Sequence, residues 1–327
     1  MPRQLAVYFA AKGDAYEPSL RSSGITGETI VDVDELRLHA FGRSCRLVVD
    51  NTRGQGQELL ALCQEELSRL ESKFSSYRPE SLISRLNESA GTGAFLPLDA
   101  ESKSLFDFVN ALWNRSKHLF DPTSHILKNC YDDGGRLRAS GEQLQRIIKL
   151  VGMNHLERNE KGIHLSRKGM VIELNSCVRP YAVDSLRRIL SKNGAQHALI
   201  EMDHDIATIG KQPGGANWLV GVRLPKGSSV AISRLKLNSM SYAMRGDFEH
   251  ATLHNGERFG RALSPVDGQP LPGLLSVAVT AESCLAACSA ASIARLKTEP
   301  AGLKWLESLG LPWLAVDRNL QCHGPLS

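Results

Sequence analysis

The stretch Val171–Met202, VIELNSCVRPYAVDSLRRILSKNGAQHALIEM, carries a strand, a helix and a second strand in one continuous run. Apolar, partly β-branched residues at Val171–Leu174 and apolar ones at Ala198–Met202 predict two short strands. Between them Ala182–Lys192 reads as a helix, and Asn193-Gly194 supplies the left-handed residue that ends one. Upstream, Leu36–Asp50 predicts strands broken at Gly42. Leu60, Cys63, Leu67, Leu70 and Phe74 then fall at spacings of 3, 4, 3 and 4, one apolar helix face. A second helix is predicted over Ser102–His118, with Leu105, Phe108, Val109, Leu112 and Trp113 inward, and a short strand at Ile163–Leu165. Downstream, strands are predicted at Trp218–Leu224, Val230–Leu237, Ser239–Met244, Gly260–Leu263, Leu275–Thr280 and Trp313–Val316. Two helices join them, Ala301–Leu309 and an alanine-rich one at Ser283–Leu296, whose small residues predict close packing. Strands and helices neither alternate strictly nor segregate, so the class is α+β. Residues 12–35 are rich in Gly, Ser, Thr and acids; we expect a loose arm over residues 1–35 and one folded body over 36–327.

Composition narrows the function classes. The chain has 327 residues, 42% hydrophobic and 23% charged, ordinary for a folded protein of one large or two modest domains. Lys plus Arg number 39 against 35 acids, a net charge of +4 with no dense basic run, which argues against a nucleic-acid partner. No run approaches the roughly 18 apolar residues that span a bilayer. In MPRQLAVYFAAKGDAYEP the apolar run stops at Lys12, short for a secretory signal, and no cysteine precedes Cys45 to carry a lipid. Seven cysteines without CxxC spacing fit reduced, buried thiols. The expectation is a cytoplasmic protein with no membrane partner.

Six stretches, in a fixed order, resemble the ApbE family of FAD:protein FMN transferases. Ser75–Asn87 (SSYRPESLISRLN) is similar to its S-x-Y-x-x-x-S-E-h-S-R-h-N segment, where h is hydrophobic, and Phe120–Ser124 (FDPTS) to F-D-h-T-V. VIELNSCVRPYAVDSL stands where the family has D-L-G-G-I-A-K-G-Y-A-V-D, and IEMDHDIATIG where it has L-V-N-h-G-G-D-h-x-x-x-G. The run from Gly246 to Leu271 resembles S-G-D-Y followed by H-I-h-D-P-x-T-G-x-P, and ESCLAACSAASIARL resembles A-D-A-L-A-T-A-L. The resemblance implies an ApbE-like, T-fold-type architecture with mixed or antiparallel sheets and packed helices. It also implies FAD as ligand and a flavoprotein as partner, with Mg²⁺-dependent transfer of FMN to a Ser or Thr hydroxyl. Site positions carried over are Tyr77, Asp121, Thr123, Glu173, Arg179 and Asp205 for the cofactor, and Cys288 and Ser292 for the metal.

The metal positions are where the chain departs from the family. Cys288 replaces the Asp and Ser292 the Thr of A-D-A-L-A-T, and a thiol is a poor ligand for a hard cation. Arg261 stands for the His before I-h-D-P, Ser264 for its Asp, and Asp267 for the Thr of T-G. Asp203-His204 replaces the two glycines of G-G-D, and Asn175-Ser176-Cys177-Val178-Arg179-Pro180 the G-G-I-A-K-G loop. We therefore expect a related protein degenerate in catalysis, with Mg²⁺ doubtful. The alternative is a protein that binds flavin or a partner without transfer, and behind it an unrelated enzyme using the same cleft. Asp203-His204-Asp205 reads as a polar turn between two short strands in preference to a metal cluster. His250 and His254 precede Asn255-Gly256, a hairpin signal, and so read as a strand and its turn. Cys177, Cys284 and Cys288 read as small packing residues, with a zinc or redox thiol site as the rival.

Overall fold

The computed structural model describes residues 22–26, 29–51, 53–132, 135–223, 231–246, 252–254, 257–259 and 262–327. Strands β1 (Ser22–Thr26), β2 (Thr29–Ala40) and β3 (Arg43–Asp50) open the chain. The helices α1 (Gly56–Phe74), α2 (Leu82–Glu88) and α3 (Ala100–Arg115) follow, then a 3₁₀ segment at Pro122–Cys130 and α4 (Gly141–Ile148). A small hairpin, β4 (Leu156–Asn159) and β5 (Gly162–Leu165), leads to α5 (Asn175–Lys192). Then come β6 (Ala198–Met202), β7 (Asp205–Ile209), β8 (Trp218–Arg223), β9 (Ala231–Leu237), β10 (Ser241–Gly246), β11 (Thr252–His254), β12 (Glu257–Phe259) and β13 (Ser276–Ala281). The described chain closes with α6 (Cys284–Leu296), α7 (Glu299–Ser308), β14 (Trp313–Val316) and β15 (Cys322–His323).

One nine-stranded sheet, ordered β1-β2-β3-β6-β7-β10-β13-β14-β15, organises the molecule, and each neighbouring pair in it is antiparallel. Period-two alternation sorts its side chains. Leu47, Val49, Ala198, Ile200 and Met202 enter a core with α1 (Leu60, Cys63, Leu67, Leu70, Phe74), α3 (Leu105, Val109) and α5 (Val183, Leu186). Val48, Leu199, Ile206, Tyr242 and Leu314 point the other way and are covered by the β8–β9 hairpin through Trp218, Val220 and Leu235. On the first face, the small residues Ala287, Cys288, Ala290, Ala291 and Ala294 of α6 pack on Ala243, Val277 and Val279, the close approach that its composition predicts.

Several expectations change. Residues 22–26 and 29–35, read as part of the arm, form β1 and the first half of β2; residues 1–21 lie outside the described ones. Val171–Leu174 forms no strand and joins no sheet: the Asn87 amide donates to the Ile172 carbonyl (3.1 Å) and accepts from its N–H (2.8 Å), standing in for a neighbouring strand. The helix after it begins at Asn175, seven positions before Ala182, and runs through Pro180. Its end is as predicted, with Gly194 at φ 84°. Arg261, His250 and Asn255-Gly256 lie outside the described residues.

Gly162 shows how tightly the small hairpin is seated. It sits at φ 136°, and a Cβ there would lie 1.8 Å from the Leu96 carbonyl oxygen, a main-chain atom held by reciprocal bonds to Ile163. Gly162→Ala therefore combines backbone strain with a clash that no side chain can relieve, and should cost about 2 kcal/mol or more. Urea unfolding checks this; an unchanged midpoint contradicts it.

Candidate functional site

Two hairpin turns and the end of β10 meet at one end of the large sheet. Phe41-Gly42 joins β2 to β3 in two residues, both left-handed (φ 53° and 68°), the form that matches strand twist. Asp203-His204 joins β6 to β7, with Asp203 at φ 57°. This is the polar turn read from the sequence, except that Asp205 is the first residue of β7. Arg43 Nε lies 3.4 Å from Asp203 Oδ2, tying one turn to the other. Arg179 of α5 donates from Nη2 to the Phe41 carbonyl at 3.1 Å. Its Nε is buried without a hydrogen-bond partner, and burial followed by the nearby Arg43 lowers its pKa. Glu173 accepts from the Asn175 N–H at 2.6 Å, which positions the first turn of α5.

Arg245, near the end of β10, is the residue that sequence reasoning missed. Its Nη2 donates to Asp205 Oδ2 at 2.8 Å and to Cys288 Sγ at 2.7 Å; its Nη1 lies 2.8 Å from Asp205 Oδ1 and donates to the Met244 carbonyl at 2.9 Å. Asp205 is 2% exposed and Cys288 1%. Cys288 in turn donates to the Ser176 carbonyl at 3.2 Å, with Ser292 Oγ 3.8 Å from its sulfur. That carbonyl is available because Pro180, four residues on, has no N–H to give it. Burial pushes the Cys288 thiol up to about 11 despite the neighbouring guanidinium, so the sulfur is a neutral thiol at physiological pH. Cys177 and Cys284 are also buried, with raised pKa values from the same cause.

Asp121 and Thr123 lie beside Glu173, whose N–H donates to the carbonyl of Pro122 between them. Their side chains are buried and serve the main chain. Asp121 accepts from the Thr123 N–H and hydroxyl and from the Met153 N–H, while Thr123 Oγ1 accepts from the Gly152 N–H. Tyr77 follows α1 and is 72% exposed, its ring surface open. Ser264 and Asp267 shape their own loop, Ser264 Oγ accepting from Val266 N–H and Asp267 Oδ1 from Gln269 N–H.

The sequence matches the ApbE family over residues 41–314, most of the chain. The chain belongs to the ApbE family. It is 25% identical over 232 residues to the FAD:protein FMN transferase of Haemophilus influenzae, covering 68% of this chain and 67% of that one. To the enzyme of that name from Escherichia coli K12 it is 22% identical over 243 residues, 70% of this chain and 68% of the relative. Among crystal structures, the ApbE protein of Thermotoga maritima superposes with a TM-score of 0.77 at 26% identity, covering 89% of this chain and 96% of that one. The apo form of the Pseudomonas stutzeri flavinyl transferase ApbE gives 0.75 at 24%, covering 88% and 91%, and supports the fold. The α+β ApbE architecture expected from the motifs is thus the observed one, with an all-antiparallel main sheet.

At Cys288 and Ser292, the positions that the motif resemblance assigns to a metal, the side-chain chemistry does not suit a hard divalent cation. They offer a neutral thiol and a hydroxyl, and a guanidinium lies 2.7 Å from the sulfur. No group of three or more His, Cys, Asp or Glu residues among the described ones is arranged to hold a metal. No helix among the described residues is long and apolar enough to cross a membrane. Arg245 had one sequence signal: it stands at the Ser of the family's S-G-D-Y, directly before Gly246-Asp247.

Proposed function

We propose that this ApbE-family chain binds FAD at the sheet end formed by the Phe41-Gly42 and Asp203-His204 turns, and that its Mg²⁺-dependent transfer of FMN to a Ser or Thr of a flavoprotein partner is lost. The FAD half of the reading is supported by the transferase relatives and by two residues of the chain. Arg179 is a cation with an unmet buried donor, suited to a diphosphate, and Tyr77 offers an open ring surface to a flavin. The loss of transfer is carried by one observation, the Arg245–Cys288 contact at 2.7 Å where the family pattern has a metal-binding Asp. A Lewis acid that polarises a phosphoryl oxygen supplies several kcal/mol of transition-state stabilisation, and each 1.36 kcal/mol is tenfold in rate. The proposal places the protein in the cytoplasm, in keeping with six buried free cysteines.

The test incubates pure protein with FAD and Mg²⁺ and measures AMP release together with protein-bound flavin in a mixture containing candidate acceptors. The expected result is bound FAD without AMP above the protein-free blank. Sustained AMP release by the unmodified chain sinks the loss of transfer; absence of FAD binding sinks the flavin reading.

A further inference from the structure

We propose that Arg245 is a built-in replacement for the divalent cation of this fold, so that the nucleotide cleft of this chain works without a metal ion. The inference rests on the reading that the cleft takes FAD, and adds to it the identity of the positive charge that the site uses.

Position is the first argument. The guanidinium lies between α6, through Cys288, and β7, through Asp205, with contacts of 2.7 and 2.8 Å, and the Met244 carbonyl completes its shell at 2.9 Å. The first turn of α5 and helix α6 are joined directly here: the Cys288 thiol donates to the Ser176 carbonyl. The second argument is charge. An aspartate with a divalent cation carries a net +1; a cysteine that keeps its proton on the bond to the Ser176 carbonyl, with one guanidinium, also carries +1. The exchange of Asp for Cys288 and of Ser for Arg245 therefore leaves the local charge unchanged while removing the need for an ion. Reversing one substitution alone breaks that balance. The third argument is exclusion. Arg245 is held against the almost fully buried Asp205 and keeps a fifth of its side chain exposed, so a divalent ion approaching from that exposed side meets a guanidinium and an aspartate already engaged with it. Arg43 and Arg179 at the same sheet end extend this cationic lining, and the acids among them, Asp203 and Glu173, are themselves occupied by Arg43 and by the Asn175 N–H.

The experiment uses the full chain, purified with EDTA and dialysed free of it. Mn²⁺ is titrated into the protein and followed by electron paramagnetic resonance, and FAD is titrated by flavin fluorescence in EDTA and again in Mg²⁺. The expected results are no Mn²⁺ binding and FAD affinities that agree within about twofold in the two buffers. Arg245→Ser should weaken FAD at least about tenfold in EDTA, Arg245→Lys should lose less, and the double variant Arg245→Ser with Cys288→Asp should bind Mn²⁺ and make its FAD affinity depend on Mg²⁺. Stoichiometric Mn²⁺ on the unmodified chain, or FAD binding tightened about tenfold or more by Mg²⁺, overturns the proposal. So does an Arg245→Ser chain that is folded by circular dichroism and binds FAD as the parent does. If the double variant does not fold, the titrations of the parent and of Arg245→Lys still decide. A parent that binds Mn²⁺ but not FAD sinks both readings; one that binds FAD only with Mg²⁺ sinks this one and leaves the flavin reading standing.

Discussion

Asp205→Ala should destabilise the protein by about 3–5 kcal/mol, among the largest effects available to a single substitution here. Asp205 is 2% exposed and meets Arg245 at two points, both 2.8 Å. The other partners of the guanidinium are a neutral thiol and a main-chain carbonyl, neither of which carries charge. Removing the carboxylate leaves a cation with four-fifths of its side chain out of water, and the cost is the desolvation of an uncompensated charge more than the loss of two contacts. A buried pair can be replaced as a unit with little loss, so adding Arg245→Met to the Asp205→Ala background should restore most of the stability. Equilibrium urea unfolding of the parent, the two single variants and the double variant measures the coupling. An Asp205→Ala midpoint indistinguishable from the parent would falsify the buried-pair account.

Glu201→Gln should stabilise the protein by about 3 kcal/mol at pH 8 and leave it unchanged near pH 4. Glu201 lies on β6 opposite Arg46 of β3 and is 9% exposed. Burial raises its carboxyl from 4.5 to about 7; Arg46 and Arg37 pull the other way, but both donate to Glu35, at 3.0 and 2.6 Å. In the unfolded chain this proton leaves near pH 4.5, whereas the folded protein retains it to about 7. The folded state thus binds more protons between those values. The stability linked to that proton is fully present below 4.5, declines as pH rises, and is gone above 7. Glutamine mimics the protonated form at every pH, so its advantage should grow along the same curve. Thermal melts of parent and variant across this range provide the check, and a difference that does not vary with pH contradicts it.

Where physical signals in the sequence were local, they were legible. The apolar stripe of α1 reappears as the buried face Leu59, Leu60, Cys63, Leu67, Leu70 and Phe74, because helical periodicity depends on no distant partner. Ala198–Met202 and Trp313–Val316 are strands with the bounds read from the sequence. Val171–Leu174 misled because its main chain at Ile172 is paired by a side-chain amide, Asn87, from a helix some 85 positions earlier, and strand propensity cannot distinguish that from a ladder. Pro180 concealed the first turns of α5: a proline inside a helix leaves a carbonyl unmet, and only tertiary structure shows that the Cys288 thiol takes it. At the site, the motifs located Asp205 and Cys288 separately. Arg245 became meaningful only once antiparallel pairing set β10 beside β7 and α6 brought its thiol up to the same point.

The strand order carries a consequence for how the protein is made. β3 ends at Asp50, yet its sheet neighbour β6 does not begin until Ala198, with α1 through α5 in between. A ribosome therefore exposes β3 well before the strand that covers its edge has been synthesised. Throughout that interval Leu47 and Val49 have only the intervening helices to shelter against, and the free β3 edge can pair with any extended segment it meets. By contrast, β6 and β7 are joined by a two-residue turn and can zip as soon as they emerge. Nascent chains stalled before residue 198 should accordingly be the aggregation-prone and chaperone-bound species, whereas chains extended past β7 have closed that edge. For this fold, the hazardous stage of biogenesis is the long wait of an early hairpin for a late partner.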